Sequence, residues 1–463
     1  MFSAQFSGLG DADAILIAAT LRSCGATAID DNYVSTAQFV PPNKDSSRLC
    51  SGSSTYASIL KAAGSSPSVL PKDMACFLML MGFDAAELHS VKYSTAELVD
   101  VGYPASDIMA ALGGKSAAVL KELSEHGLAL ELAAGSERVP VEELREAKCA
   151  GIPREDTLKE VVEKVSAIGT MKNLEGAEVL MGSREMLDDR NGEALIWTAA
   201  LNCKKALTEI NMMRNALRGK TATAIAQFLR FNRSVTLVDL HDNEIDDEAI
   251  QPIAKSLSFN SVLAHLRLSE NKVTVNVTTT LYDAVMTNFT LESLVLETSG
   301  GMQTQGVPIP ALKGLKANEL IDLSGRRFGP VSVAVITKLI QSCRPRLIEL
   351  GLDRNPLKGE GAAFVAEMLK SNDDIKEIDL RFCAIGPQGA NALAKALEVN
   401  TSVERALLLA NSISQEGAAA ILAMLPHNNS LKYIGLQDNL LNDATKAALT
   451  AAASTRPGLT IQV

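Results

Sequence analysis

Gly113-Gly114-Lys115-Ser116 has the strongest local claim to chemistry, because a glycine turn followed by Lys and Ser can cradle a phosphate with backbone amides and an ammonium. A phosphate loop also needs Gly or Ala five places before the Gly of Gly-Lys-Ser, and Met109 stands there. It needs a preceding strand as well, whereas the flanking pattern is helical, so the stretch reads as a turn between helices. The five histidines (His89, His126, His241, His265, His427) form no H-E-x-x-H and no His/Cys pairing, which leaves no ligand spacing for a metal. His241 and His265 fall in adjacent repeats but in different rows. Nothing has the arrangement of a nucleophile, a base and a third orienting group. No catalytic, cofactor-binding or metal-ligating residue is assigned, and no enzyme activity is expected.

The remaining chemistry-bearing side chains are charged and aromatic residues that recur at a fixed interval, and the interval itself comes from the elements that hold them. Val235-x-x-Val238-x-Leu240-x-x-Asn243-x-Ile245 is echoed 28 residues earlier by Leu207, Ile210, Met212, Asn215 and Leu217. It is echoed 28 residues later by Leu263, Leu266, Leu268, Asn271 and Val273. Further copies open at Leu291, near Ile321, and at Leu347, Ile375, Val403 and Leu431, and Leu459–Val463 reads as a closing strand. The apolar alternation predicts a short strand with those residues turned inward. The Asn predicts a turn whose backbone groups its amide satisfies, with Cys383 in that slot in one copy. The second half of each copy, such as Gly361–Leu369 or Gly389–Leu397, carries helical spacing. Small residues at its start allow neighbouring helices to approach.

This pattern resembles the leucine-rich repeat, in its long ribonuclease-inhibitor-like form, over roughly residues 180–463. The resemblance implies an α/β horseshoe solenoid of about nine repeats, parallel strands on the concave side and helices on the convex side. Residues 207–463 form that domain, with residues 176–206 as its capping unit, where the single Trp, Trp197, is expected in the core. Ser299–Pro310 departs from the pattern: two Pro and three Gly stand where other copies have a helix, so it is either a contact loop or a drifted unit.

Strand residues between the inward ones face outward, so the concave face is directly legible. Asp239, His241, Arg267, Glu297, Asp353, Glu377, Asp379, Arg381, Phe382 and Tyr433 are the candidate partner contacts. Carboxylates outnumber cations on that face, which would steer a basic protein segment toward it.

Residues 1–175 are expected to form an all-helical domain. Phe83, Tyr93 and Tyr103 each begin a ten-residue unit, followed by Glu87-Leu88, Glu97-Leu98 and Asp107-Ile108. Ser94-x-x-Glu97 is a capping box and Asp84-x-x-Glu87 an acidic version of it. Residues 11–22 and 56–63 have helical patterns, and 40–55 is a Pro/Ser/Asn-rich loop.

Across all 463 residues, hydrophobic content is 47%, charged content 21% and net charge −10, which argues against nucleic acid or an anionic membrane as partner. Seven Cys without any C-x-x-C suit a reducing compartment. The first residues lack a basic stretch, and no apolar run is long enough to span a bilayer, so a cytoplasmic protein without membrane insertion is expected. The leading expectation is a protein–protein interaction scaffold in an intracellular assembly. Alternatives are a small-GTPase regulator resembling the Ran GTPase-activating proteins, or a cytoskeletal or axonemal component resembling tropomodulin-type or dynein-regulatory proteins.

Overall fold

The computed structural model describes residues 83–90, 92–135, 138–167, 179–181, 187–202, 207–297, 306–315 and 319–463. The readings made for residues 11–22, 40–55 and 56–63 lie outside them. Packing divides the chain into two compact units, Met1–Ile152 and Pro153–Val463.

In the described part of the first unit, short helices follow one another: α1 (Ala85–Ser90), α2 (Thr95–Val101), α3 (Ala105–Ala111), α4 (Ala117–Glu125), α5 (Ala129–Ala134) and α6 (Val141–Glu146). Their starts are written locally. Ser94 Oγ accepts the Glu97 N–H at 3.3 Å while Glu97 returns a carboxylate oxygen to the Ser94 N–H at 2.7 Å. Asp84 and Glu87 make the same reciprocal pair at 2.7 and 2.8 Å. Phe83, Tyr93 and Tyr103 are buried with Leu88, Leu98 and Ile108, and the Tyr103 hydroxyl donates to the Phe83 carbonyl. Burial and nearby carboxylates hold that phenol well above its usual range. Gly113 and Gly114 both take the left-handed conformation in the turn between α3 and α4, as expected for a connector. Ser116 then caps α4, and Lys115 pairs with Glu143 at 2.7 Å.

The second unit alternates strand and helix. Helix α7 (Glu155–Ala167) packs on α8 (Asp189–Asn202), which carries Trp197 at 1% exposure, in the core as expected. The strands are β1 (Val179–Met181), β2 (Glu209–Asn211), β3 (Leu237–Asp239), β4 (His265–Arg267), β5 (Ser293–Val295), β6 (Val307–Pro308), β7 (Leu320–Asp322), β8 (Glu349–Gly351), β9 (Glu377–Asp379), β10 (Arg405–Leu407), β11 (Tyr433–Gly435) and β12 (Thr460–Gln462). Between them lie α9 (Gly219–Phe231), α10 (Asp247–Leu257), α11 (Thr278–Thr287), α12 (Ile309–Leu312), α13 (Pro330–Cys343), α14 (Lys358–Ser371), α15 (Gly386–Val399), α16 (Gln415–Met424) and α17 (Asp443–Ser454). The centres of β1 to β5 and of β7 to β11 are buried: Ile210 registers with Val238 and Val238 with Leu266, all three fully buried.

The ladder is not one uninterrupted sheet, which corrects the single stack expected from nine copies. Among the described residues the strands form two six-stranded sheets, β1 to β6 and β7 to β12. The break falls at the irregular unit. β6 turns back antiparallel on β5, Val307 opposite Leu294, and the described part of this unit's second half holds one turn of helix, α12. The helical layer carries across the break, because α11 packs directly on α13.

Two side-chain ladders stitch neighbouring copies. Asn243 Nδ2 donates to the carbonyls of Leu240 and Met212, both at 3.0 Å, and its Oδ1 accepts the Leu217 N–H at 3.2 Å. Asn271, Asn355, Asn411 and Asn439 repeat this, and Cys383 stands in with its thiol 3.1 Å from the Leu352 carbonyl. Arg326 fills the slot at the break, reaching the carbonyls of Gly306 and Asp322. A second ladder, not anticipated, runs along the helix ends. Asn260 Nδ2 donates to the Leu229 carbonyl while Oδ1 accepts from Leu263, and Asn288, Asn400 and Asn428 do likewise. Its sequence signal is Asn, any residue, usually Ser or Thr, then the first apolar strand residue, as in Asn400-Thr-Ser-Val403. At the break, the Lys313 ammonium serves instead, donating to the Asn288 carbonyl at 2.7 Å.

Candidate functional site

The face of the sheets turned away from the helices carries the predicted contact residues, because residues flanking each buried strand centre alternate to that side. How open they are differs from the expectation. Asp239 is 1% exposed and His241 8%. Arg267 Nη1 lies 3.1 Å from Asp239 Oδ2, Asp239 Oδ1 accepts the His241 N–H at 3.0 Å, and the His241 ring meets Ser269 Oγ at 2.9 Å. Alternation gives direction, but packing between adjacent copies then covers these groups. Of this trio, Arg267 alone keeps a substantially exposed side chain.

Glu297 is placed differently from the expectation. Its carboxylate accepts the N–H groups of Val331 and Ser332 at 3.1 and 3.0 Å, capping the first turn of α13. A charge bonded there is not presented as an open contact on the strand face. Val295, which falls in the outward row, is also buried.

The second sheet holds the rest. Asp353 is buried and pairs with Arg354 at 2.8 Å, and the Arg354 guanidinium lies 5.3 Å from the centre of the Phe382 ring. Arg381 chelates Asp379, with Nη2 2.6 Å from Oδ2, and this pairing holds the guanidinium above its ordinary range. Arg405 bonds Glu377 at 2.7 Å and stacks 4.6 Å from the Tyr433 ring centre. Tyr433 donates to Gln462 Oε1 at 2.6 Å. Asp353, Glu377, Asp379, Arg381, Phe382 and Tyr433 therefore belong to one neighbourhood, whereas Asp239, His241 and Arg267 belong to the first sheet. Leu407 and Leu409, which the alternation places in the outward rows but which were not among the candidate contacts, face this side next to Phe382, whose N–H donates to the Leu409 carbonyl. Their signal was two Leu in the outward rows where other copies have polar residues.

Among the described residues, no group of three or more His, Cys, Asp or Glu side chains could hold a metal ion. No helix among them is long and apolar enough to cross a membrane.

No protein-family model matches the sequence. No curated protein matches it either. Solved structures do give similarities. A leiomodin-1 structure of actin-binding site 2 is 16% identical, over 31% of this chain and 83% of that one, with a TM-score of 0.27. The Rad7–Elc1 complex from yeast gives 13% identity, over 91% of this chain and 98% of that one, with a TM-score of 0.23. A TLR13–ssRNA13 complex gives 16% identity, over 57% of this chain and 40% of that one, also with a TM-score of 0.23.

Proposed function

We propose that the chain is a non-enzymatic protein-binding scaffold of an intracellular, cytoplasmic assembly. In this reading residues 207–463 are a leucine-rich-repeat horseshoe of the ribonuclease-inhibitor-like subtype, and residues 176–206 cap it. Strand partners 28 residues apart, such as Asp239 and Arg267, support the subtype. One observation carries the function: the second sheet presents outward rows of Arg–carboxylate pairs with aromatic and aliphatic side chains among them. Such a surface suits a macromolecule laid across several strands. A preformed face of this kind binds with little ordering cost, and its excess of carboxylates favours a partner with basic residues.

Affinity purification of the tagged chain from its native cell, with identification of co-purifying chains, tests this. A recurrent stoichiometric protein partner is the expected result. Stimulated GTP hydrolysis across a small-GTPase panel would replace it with the GTPase-regulator reading. Recovery of cytoskeletal filaments or axonemal subunits would narrow it to the structural one.

A further inference from the structure

Phe382 is the outlier of its row. The residue preceding the ladder Asn is left-handed in copy after copy: Arg214, Asp242, Glu270, Arg354, Ala410 and Asp438 all have φ between 54° and 59°. Phe382 takes φ 56° at the same place with a bulky ring that is 46% exposed. A strained conformation carried by an exposed aromatic points to use of the ring outside the fold. Its surroundings agree. Leu409 is its lateral neighbour, Leu407 lies two residues before Leu409, and Leu407 registers with Gly435. The Tyr433 ring lies across Gly435, where a Cβ would meet Tyr433 Cε1 at 3.3 Å. Phe382, Leu409, Leu407 and Tyr433 thus run diagonally over three adjacent copies.

Charge gives this patch a direction. The Arg groups around it are answered locally, Arg354 by Asp353, Arg381 by Asp379 and Arg405 by Glu377. On the side toward β7 and β8, the strands carry Asp322 and Glu349, both exposed, with no cation at any strand position of β7, β8 or β9. The nearest cation to Asp322 is Arg326, whose guanidinium is tied to the carbonyls of Gly306 and Asp322. That negative end lies two to three strand spacings from Leu407, roughly 10–14 Å.

We infer that Phe382, Leu407, Leu409 and Tyr433 form the anchor site for a protein segment with one large apolar side chain and with Lys or Arg residues to one side of it, the basic end lying over Glu349 and Asp322. This rests on the protein-binding reading and adds the partner's chemistry and orientation. The anchor supplies desolvated aromatic and aliphatic contact, and the carboxylates set the direction and reject acidic segments.

The test is selection of a phage-displayed random peptide library on the full chain, followed by affinity measurement of the enriched synthetic peptides. Enriched sequences should pair an aromatic or large aliphatic residue with Lys or Arg on a consistent side. Phe382→Gly should weaken them by about tenfold or more without lowering the Tm, because Gly suits the left-handed backbone. Asp322→Asn with Glu349→Gln should also weaken them and flatten the salt dependence, whereas Phe289→Ser, removing an exposed ring elsewhere, should change nothing. Enriched peptides that lack the apolar–basic pairing, or that ignore Phe382→Gly, would overturn the anchor site while the scaffold reading stands or falls on co-purification. An absence of any enriched peptide would overturn the anchor site too.

Discussion

Glu297 and Gly329 are built for one another: a Cβ placed on Gly329 would lie 2.6 Å from Glu297 Oε1. Gly329 is the N-cap of α13 and has no side chain to cap with. The missing acceptor comes from Glu297 across the sheet break, through its bonds to Val331 and Ser332. A carboxylate at a helix N-terminus satisfies two orphan amides and meets the positive end of the dipole. Glu297→Ala is expected to cost about 1–2 kcal/mol in urea unfolding. Gly329→Ala, which pushes that carboxylate away, should cost a similar amount. Since both changes disturb one contact, the double variant should lose clearly less than the sum.

Asn411 is fully buried, with Nδ2 donating to the Leu380 carbonyl at 2.6 Å and Oδ1 accepting the Cys383 N–H at 2.8 Å. Removing the amide strands backbone groups in two neighbouring copies that water does not reach. Asn411→Ala should therefore destabilise by about 2–4 kcal/mol, several unmet bonds at about 1 kcal/mol or more each. Asn439 makes equivalent bonds but is half-exposed, so Asn439→Ala should cost less. Chemical unfolding of the two variants side by side measures the difference; equal losses would contradict solvent access as the cause.

Features set by short-range spacing were legible in the sequence. The inward Leu and Ile rows, the caps at Ser94 and Asp84, the core position of Trp197 and the ladder role of Asn243 all follow from periods of two to four residues or from one exact repeat. What failed to show depends on register between copies. Asp239 faces outward as alternation requires, yet Arg267 in the same row of the next copy and His241 two residues on cover it. Glu297 reads as a surface acid until the break brings it against a helix start more than thirty residues on. The reversal of β6 is a pairing choice that the Pro and Gly of residues 299–310 permit but do not specify. The second Asn ladder was visible as a spacing, but it sits where helix end and loop overlap, and neither period marks it.

Lys313 gives the stability a dependence on alkaline pH. Its ammonium is half-buried against the carbonyls of Asn288 and Met286 and 5.2 Å from the Phe289 ring centre. Burial pulls it down to about 8 from 10.5. Between those values the unfolded chain binds the proton and the folded one has released it, so folding becomes more favourable as pH rises through this window. Below about 8 both states are charged and that advantage is absent. With the group partly open to solvent, the gain is expected to be about 1–2 kcal/mol. The stability of the parent chain relative to Lys313→Met, followed by denaturant unfolding from pH 7 to 10, should rise over this interval; a flat or falling difference would contradict the burial as the cause.

Ala410 shares the left-handed backbone of its row, at φ 55°, without a side chain that gains anything from it. For an L-residue with a Cβ that conformation costs about 1–2 kcal/mol. Glycine removes the steric part but gives up more chain entropy on folding, by about 0.5–1 kcal/mol. Ala410→Gly should therefore stabilise by about 0.5–1 kcal/mol net, a result unusual for an Ala-to-Gly change. Ala406 provides the contrast, four residues earlier at the buried centre of β10. There the backbone is extended and the methyl is packed, so Ala406→Gly should lose about 1 kcal/mol or more. Opposite signs for the same chemical change would place the strain in the turn residue of each copy, and equal signs would remove the ground for reading Phe382 as held there at a cost.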